Sequence, residues 1–241
     1  MRANNGAPMT PTLIVTRPSA QSARFAADVK AAWGRPLDVL ISPLLRIEPL
    51  AVPKPKADAL IFTSANGVKA AMALRLPRGL VAWCVGEKTA ALAKEAGFAP
   101  KTGPGDADGL VHDLIRAHPT GRIAHIRGTH TRGDVVARLK AAGLDCFDVV
   151  AYDQLECPLT SEAVSALNGV NPVILPLFSP RTCTILNRQG PFAAPLCVVA
   201  MSEAVKNAID PADHWQVSVA VRPDTDAMMT AVLHELARIA A

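Results

Sequence analysis

At 241 residues, half of them hydrophobic and 19% charged, the chain has globular composition and enough length for one large core or two smaller ones. A net charge of +4 without a run of Lys and Arg, and only 4% aromatic residues, argue against a nucleic-acid stripe with stacking platforms and fit a small anionic ligand better. No apolar run approaches the roughly 20 residues needed to cross a bilayer, so a soluble protein without a membrane partner is expected.

The first residues, MRANNGAPMTPT, lack the apolar segment of a secretory signal. Residues 1–9 read as a disordered lead-in, with Met9 an alternative start. The apolar run LIVT then reads as a strand and 19–33 as an amphipathic helix, followed by the strand DVLI. PLLRIEPLAVPKP, at 43–55, reads as an extended linker because its prolines oppose a helix. Apolar runs alternate with amphipathic stretches again from ALIFT through VAWCV, then at 121–126 and 131–142. A second Pro-bearing linker surrounds Pro158, and PVILPLF and LCVVA follow. Continuous apolar strands in a β-α-β-α rhythm suit parallel sheets buried on both faces.

The chain also repeats itself. Segment A, from residue 12, runs parallel to A′, from residue 122, with Arg17 on Arg127 and Asp38 on Asp148. Segment B, DALIFTSANGVKAAMALR with VAWCVGEKTAALAKEAGF, likewise answers B′, NPVILPLFSPRTCTILNR with LCVVAMSEAVKNAIDPAD. The order is A, B, A′, B′, which by itself leaves open whether A packs with B or with B′.

Polar residues gather where strands give way to helices: Thr16-Arg17, Thr63-Ser64, Gly86, Arg127-Gly128, Ser179-Pro180-Arg181 and Ser202. Ligands of open α/β sheets bind at the carboxyl ends of the strands, where helix N-termini attract anions. The plainer account of each Ser, Thr or Gly is a helix cap or tight turn. Asp108 and Asp226, at equivalent points before helices, read as N-caps rather than acid–base or metal residues. GPGDADG is not a nucleotide-binding loop. Cys84, Cys146, Cys157, Cys183 and Cys197 show no C-x-x-C spacing, so buried thiols in a reducing cytoplasm are expected. The six histidines are scattered, and His125, inside a predicted strand, reads as packing. Tyr152, the only tyrosine, sits where the strand VVA is expected to end; by itself it reads as a packing residue with its hydroxyl in water.

LIVTRP, IFTSANGV, CVGEKTA, DADGL, IRG with LKAAG, VVAYDQ, LFSPRT and VAMSEAV, in this order over residues 12 to 236, together resemble uroporphyrinogen-III synthase. That resemblance implies two flavodoxin-like parallel-sheet α/β domains joined by a two-stranded linker, with the active-site cleft between them. Residues 1–42 with 160–241 would form domain 1, residues 52–152 domain 2, and 43–51 and 153–159 the linker strands.

It also implies conversion of hydroxymethylbilane to uroporphyrinogen III without cofactor or metal. The terminal hydroxyl leaves as water, the last pyrrole attacks through its substituted carbon, and the resulting spiro intermediate recloses with that ring inverted. The resemblance makes Tyr152 the proton donor and places Thr63, Ser64, Gly86, Thr89, Arg127, Gly128, Ser179 and Ser202 around the substrate. Arg17 and Arg181, from their strand-end positions, are added as carboxylate partners. A monomer is expected, with room for a transient handover from hydroxymethylbilane synthase. AMSEAV departs from VGEKTA in having no glycine beside Ser202, which leaves that loop's contacts open. A non-catalytic two-domain anion clamp and a glycosyltransferase share the rhythm, but the chain has neither an export signal nor a nucleotide-sugar signature.

Overall fold

The computed structural model describes residues 10–130 and 133–240; the expected lead-in and Met9 lie outside them. In chain order the first elements are β1 (Thr12–Val15), α1 (Ser19–Trp33), β2 (Asp38–Ile41), β3 (Leu45–Pro49), β4 (Ala59–Phe62) and α2 (Ala65–Ala73). There follow β5 (Val81–Cys84), α3 (Glu87–Glu95), β6 (Ala99–Thr102), α4 (Ala107–Ala117), β7 (Ile123–Gly128), α5 (Val135–Ala141) and β8 (Cys146–Glu156). The last are α6 (Ser161–Leu167), β9 (Val173–Leu177), α7 (Pro180–Asn187), β10 (Leu196–Ala200), α8 (Glu203–Lys206), β11 (Gln216–Val219) and α9 (Thr225–Ala240).

The chain divides into two compact units, Met1–Arg46 with Glu156–Ala241, and Ile47–Leu155. Unit 1 carries a sheet in the order β11-β10-β9-β1-β2, its ladders all parallel. Apolar residues cover both faces. Leu13 and Val15 pack with Phe25, Val29 and Met228 on one side, and Ile14 packs with Leu175 and Leu186 on the other. Unit 2 carries β3-β8-β7-β4-β5-β6, in which β8 through β6 are parallel. Here Leu60 and Phe62 meet Val68, Ala71, Ala90 and Ala93 of α2 and α3, while Ile61 meets Leu110, Val111 and Leu139 of α4 and α5. Each fully buried large apolar side chain contributes roughly 1.5–3 kcal/mol. Burial on two faces explains why these strands read as unbroken apolar runs rather than alternating ones.

The ladder from β1 to β9 puts A in one sheet with B′, and that from β4 to β7 puts B with A′. The two sheets then have one spatial plan, three B-type strands followed by two A-type strands. Unit 1 traces it A first, giving the doubly wound order 2-1-3-4-5; unit 2 traces it B first, giving 3-2-1-4-5 beside the additional strand β3. In both, the strand order reverses at the joint between B-type and A-type strands. That joint is β1/β9 in unit 1 and β4/β7 in unit 2.

Some local expectations change. The Pro-rich stretch contains β3, whose continuation is held by the Leu50 amide donating to the Ala151 carbonyl at 2.9 Å. Strand β8 does not end at Ala151 but runs on to Glu156, with a register shift opposite Arg127 and Gly128. The cap of α4 is Asp106, accepting from the Gly109 amide at 2.8 Å, and Asp224 accepts from Ala227 at 2.8 Å before α9. Asp108 and Asp226 instead lie in the first turns, where a carboxylate still favours the helix dipole. Of the five thiols, four are buried and Cys157 is half-buried; burial pushes Cys84 and Cys183 up to about 11. Where the chain leaves and re-enters unit 1, the Cys157 amide donates to the Leu44 carbonyl at 3.0 Å.

Because unit 2 holds its own two-faced core, a fragment of residues 47–155 is expected to fold alone. Circular dichroism with a cooperative thermal transition checks this. A disordered 47–155 fragment beside a cooperatively folding 1–120 fragment would show that the chain is organised in sequential halves.

Candidate active site

In unit 2, the carboxyl ends of β4 and β7 and the part of β8 beside Gly128 bring Thr63, Ser64, Arg127, Gly128 and Tyr152 together at the point where strand order reverses. Ser64 caps α2, its hydroxyl accepting from the Gly67 amide at 3.3 Å. The cap reading is therefore right, and incomplete: the same hydroxyl shares a 3.0 Å hydrogen bond with the Tyr152 phenol. Tyr152 is only 5% exposed, so the expectation of a hydroxyl in water gives way to one held inside the protein. Its ring lies against Gly128, where an added Cβ would come within 2.5 Å of Cε2. The glycine is needed for that approach.

Beside this pair runs a polar chain. The Thr63 hydroxyl lies 3.0 Å from His125 Nε2, His125 Nδ1 lies 3.0 Å from Asp148 Oδ1, and Arg127 Nε donates to the same oxygen at 2.8 Å. His125 is 2% exposed. Burial pushes the Asp148 carboxyl up, but hydrogen bonds from His125 and Arg127 and the guanidinium charge outweigh it and hold it below its ordinary value. Arg127 also donates to the Gly128 carbonyl at 2.9 Å. It follows that Arg127, expected as a carboxylate partner of the substrate, already has a carboxylate partner in the protein.

Gly86 and Thr89 stand at the start of α3, next to β5. Gly86 is extended, and its lack of a side chain serves a close approach, since a Cβ there would meet the Gly105 Cα at 3.2 Å. Thr89 is buried.

Unit 1 places Arg17, Ser179, Arg181 and Ser202 at the carboxyl ends of β1, β9 and β10. Ser179 and Ser202 cap α7 and α8, accepting from the Thr182 and Val205 amides, and the Ser179 hydroxyl also bonds Thr182 Oγ1 at 2.7 Å. Arg17 lies at the β1/β9 joint with its guanidinium 4.3 Å from the centre of the Phe178 ring. Burial lowers its pKa, and among the described residues no ion pair is formed by it, in contrast to its repeat partner Arg127. Asp38, the counterpart of Asp148, is exposed. The hydroxyl of Thr16, which precedes Arg17 in the chain, is buried without a hydrogen-bond partner among the described residues.

The residues that sequence reasoning missed are His125 and Asp148. One signal was available: Arg127 stands two residues beyond His125 in the same strand, so the two side chains share a face.

No group of three or more His, Cys, Asp or Glu side chains that could hold a metal occurs among the described residues, and no helix there is long and apolar enough to cross a membrane. Two parallel α/β units with their polar residues collected at the points of strand-order reversal define a class of doubly wound folds in which small ligands bind at the strand ends. The family model described as uroporphyrinogen-III synthase HemD matches residues 29–230, and the chain belongs to the uroporphyrinogen-III synthase family. As a member it is a cyclising lyase of tetrapyrrole biosynthesis, which closes hydroxymethylbilane to uroporphyrinogen III.

Among solved structures, the uroporphyrinogen-III synthetase of Helicobacter pylori 26695 is similar at 16% identity and a TM-score of 0.65, over 94% of this chain and 100% of that one. A mutant uroporphyrinogen III synthase of Thermus thermophilus is similar at 16% identity and a TM-score of 0.52, over 95% and 98% of the respective chains. At such identities the likeness is one of fold. No curated protein sequence matches the chain.

Proposed function

We propose that the unit 2 cluster around Tyr152 carries the chemistry of ring closure, and that Arg17 in unit 1 captures a substrate carboxylate. The observation that supports this reading is the 3.0 Å Tyr152–Ser64 hydrogen bond, which holds a phenol beside the carboxyl ends of β4 and β7, the end of a doubly wound sheet at which ligands bind. A proton donor must be positioned before it is useful, because general-acid catalysis depends on reach and alignment first. The phenol would protonate the departing hydroxyl, which leaves as water. The N-terminal ends of α2, α3 and α7 would add partial positive charge for acetate and propionate groups. Gly86, Thr89, Gly128, Ser179, Arg181 and Ser202 complete the proposed lining. The reading includes a cytoplasmic monomer that receives hydroxymethylbilane from its synthase.

The test is incubation with freshly made hydroxymethylbilane and separation of the ring isomers. Type III product above the spontaneous type I background supports the reading; type I alone overturns it. Arg17 is desolvated and forms no ion pair among the described residues, which supports a substrate carboxylate as its partner. Arg17→Ala is expected to raise KM by roughly ten- to a hundredfold, the effect of losing a charge-assisted hydrogen bond, with kcat changed far less. An unchanged KM would take Arg17 out of the binding site.

A further inference from the structure

We propose that His125 is a positioning residue for Thr63, fixing that hydroxyl as an acceptor for a substrate pyrrole N–H rather than a donor to a carboxylate. The proposal rests on the reading above that Thr63 faces the substrate. Its basis is the order of donors and acceptors along Thr63–His125–Asp148. The Asp148 carboxylate only accepts, so the His125 Nδ1 at 3.0 Å must carry a proton. Arg127 Nε, at 2.8 Å from the same oxygen, already matches the carboxylate charge. A protonated His125, its side chain 3% exposed, would put a second cation against one anion in a buried place. The neutral ring therefore has a bare Nε2, and the Thr63 hydroxyl at 3.0 Å must donate to it.

With its one hydrogen committed, Thr63 has only lone pairs left to offer. A carboxylate would be repelled by them and an N–H attracted. The linear tetrapyrrole carries one N–H on each pyrrole, and an acceptor at this point would set the rotation of one ring about its bridges. Arg127 acts on the same oxygen of Asp148 and so steadies the tautomer from the other side. The arrangement has the logic of a hydroxyl–imidazole–carboxylate triad in which the acid sets the tautomer, used here for orientation.

The tautomer is read directly by nitrogen-15 NMR of the wild-type protein, with the proton expected on Nδ1 of His125 and none on Nε2. Kinetically, Thr63→Val and His125→Leu should each raise KM about tenfold, as one lost hydrogen bond would, and the double variant should be no worse than either single one. His125→Gln, whose amide oxygen can accept from Thr63, should bring KM back to within about threefold of wild type. A proton on Nε2, additive KM effects, or failure of His125→Gln to recover would overturn the proposal while leaving Thr63 in the site. If Thr63→Val leaves KM unchanged, the proposal falls through its premise, the placement of Thr63 against the substrate.

Discussion

Tyr152→Phe is expected to lower the rate of type III ring formation by roughly ten- to ten-thousandfold, the range spanned by general-acid assistance, and to leave the fold intact. The substitution keeps the buried ring against Gly128 and removes only the hydroxyl. What is lost structurally is a single neutral hydrogen bond to Ser64, worth about 1 kcal/mol, or a few degrees in melting temperature for a chain of this length. Ser64 would keep its bond to the Gly67 amide, so the start of α2 should hold. The lower end of the range is favoured, because water or a protonated substrate carboxyl can supply the same proton. Since hydroxymethylbilane closes spontaneously to the type I ring, the ratio of III to I must be scored rather than total porphyrin. A wild-type rate of type III formation would leave Tyr152 as a wall of the site.

Gly128→Ala should be worse for stability and comparable for activity. A Cβ at that position would stand 2.5 Å from Tyr152 Cε2 and 2.9 Å from Cζ, far inside contact distance. The ring cannot retreat cheaply, being buried and tied through its hydroxyl to Ser64. Overpacking of this kind costs about 1–3 kcal/mol, which for a chain this long is a fall of about 2–12 °C in melting temperature. Whatever relief the ring finds moves the phenol, so type III formation should drop as well. In a Tyr152→Phe background the alanine should still lower the melting temperature but add little further loss of activity. Full additivity of the two activity losses would show that Gly128 acts on the reaction by some route other than the tyrosine.

The rhythm of strands and helices was legible because burial on both faces of each sheet leaves no polar alternation to confuse the pattern. The repeat gave the equivalence of Arg17 with Arg127 and of Asp38 with Asp148. It could not give their divergence. One arginine stacks on Phe178 and the other pairs with Asp148, a difference that depends on neighbours more than 20 residues away in the chain. The serines at strand ends were readable as caps, and three are caps; that Ser64 also holds a phenol 88 residues away was not. His125 was misread for a physical reason. A histidine within an apolar strand looks like packing until the adjacent strand sets an aspartate beside it, and the β7–β8 register that does so, with His125 opposite Asp148, is a tertiary fact.

The hydrogen bond between Cys157 and Leu44 bears on how the larger unit is assembled. Two residues joined in this way have Cα atoms only about 5 Å apart, so the intervening residues, 45–156, leave through a gap that a tight turn could close. Unit 1 is in that sense a continuous flavodoxin-order domain interrupted by a guest sequence at one doorway. Its folding need not wait on the guest's internal order, provided the doorway residues stay together, and the guest in turn enters with its own ends already tethered.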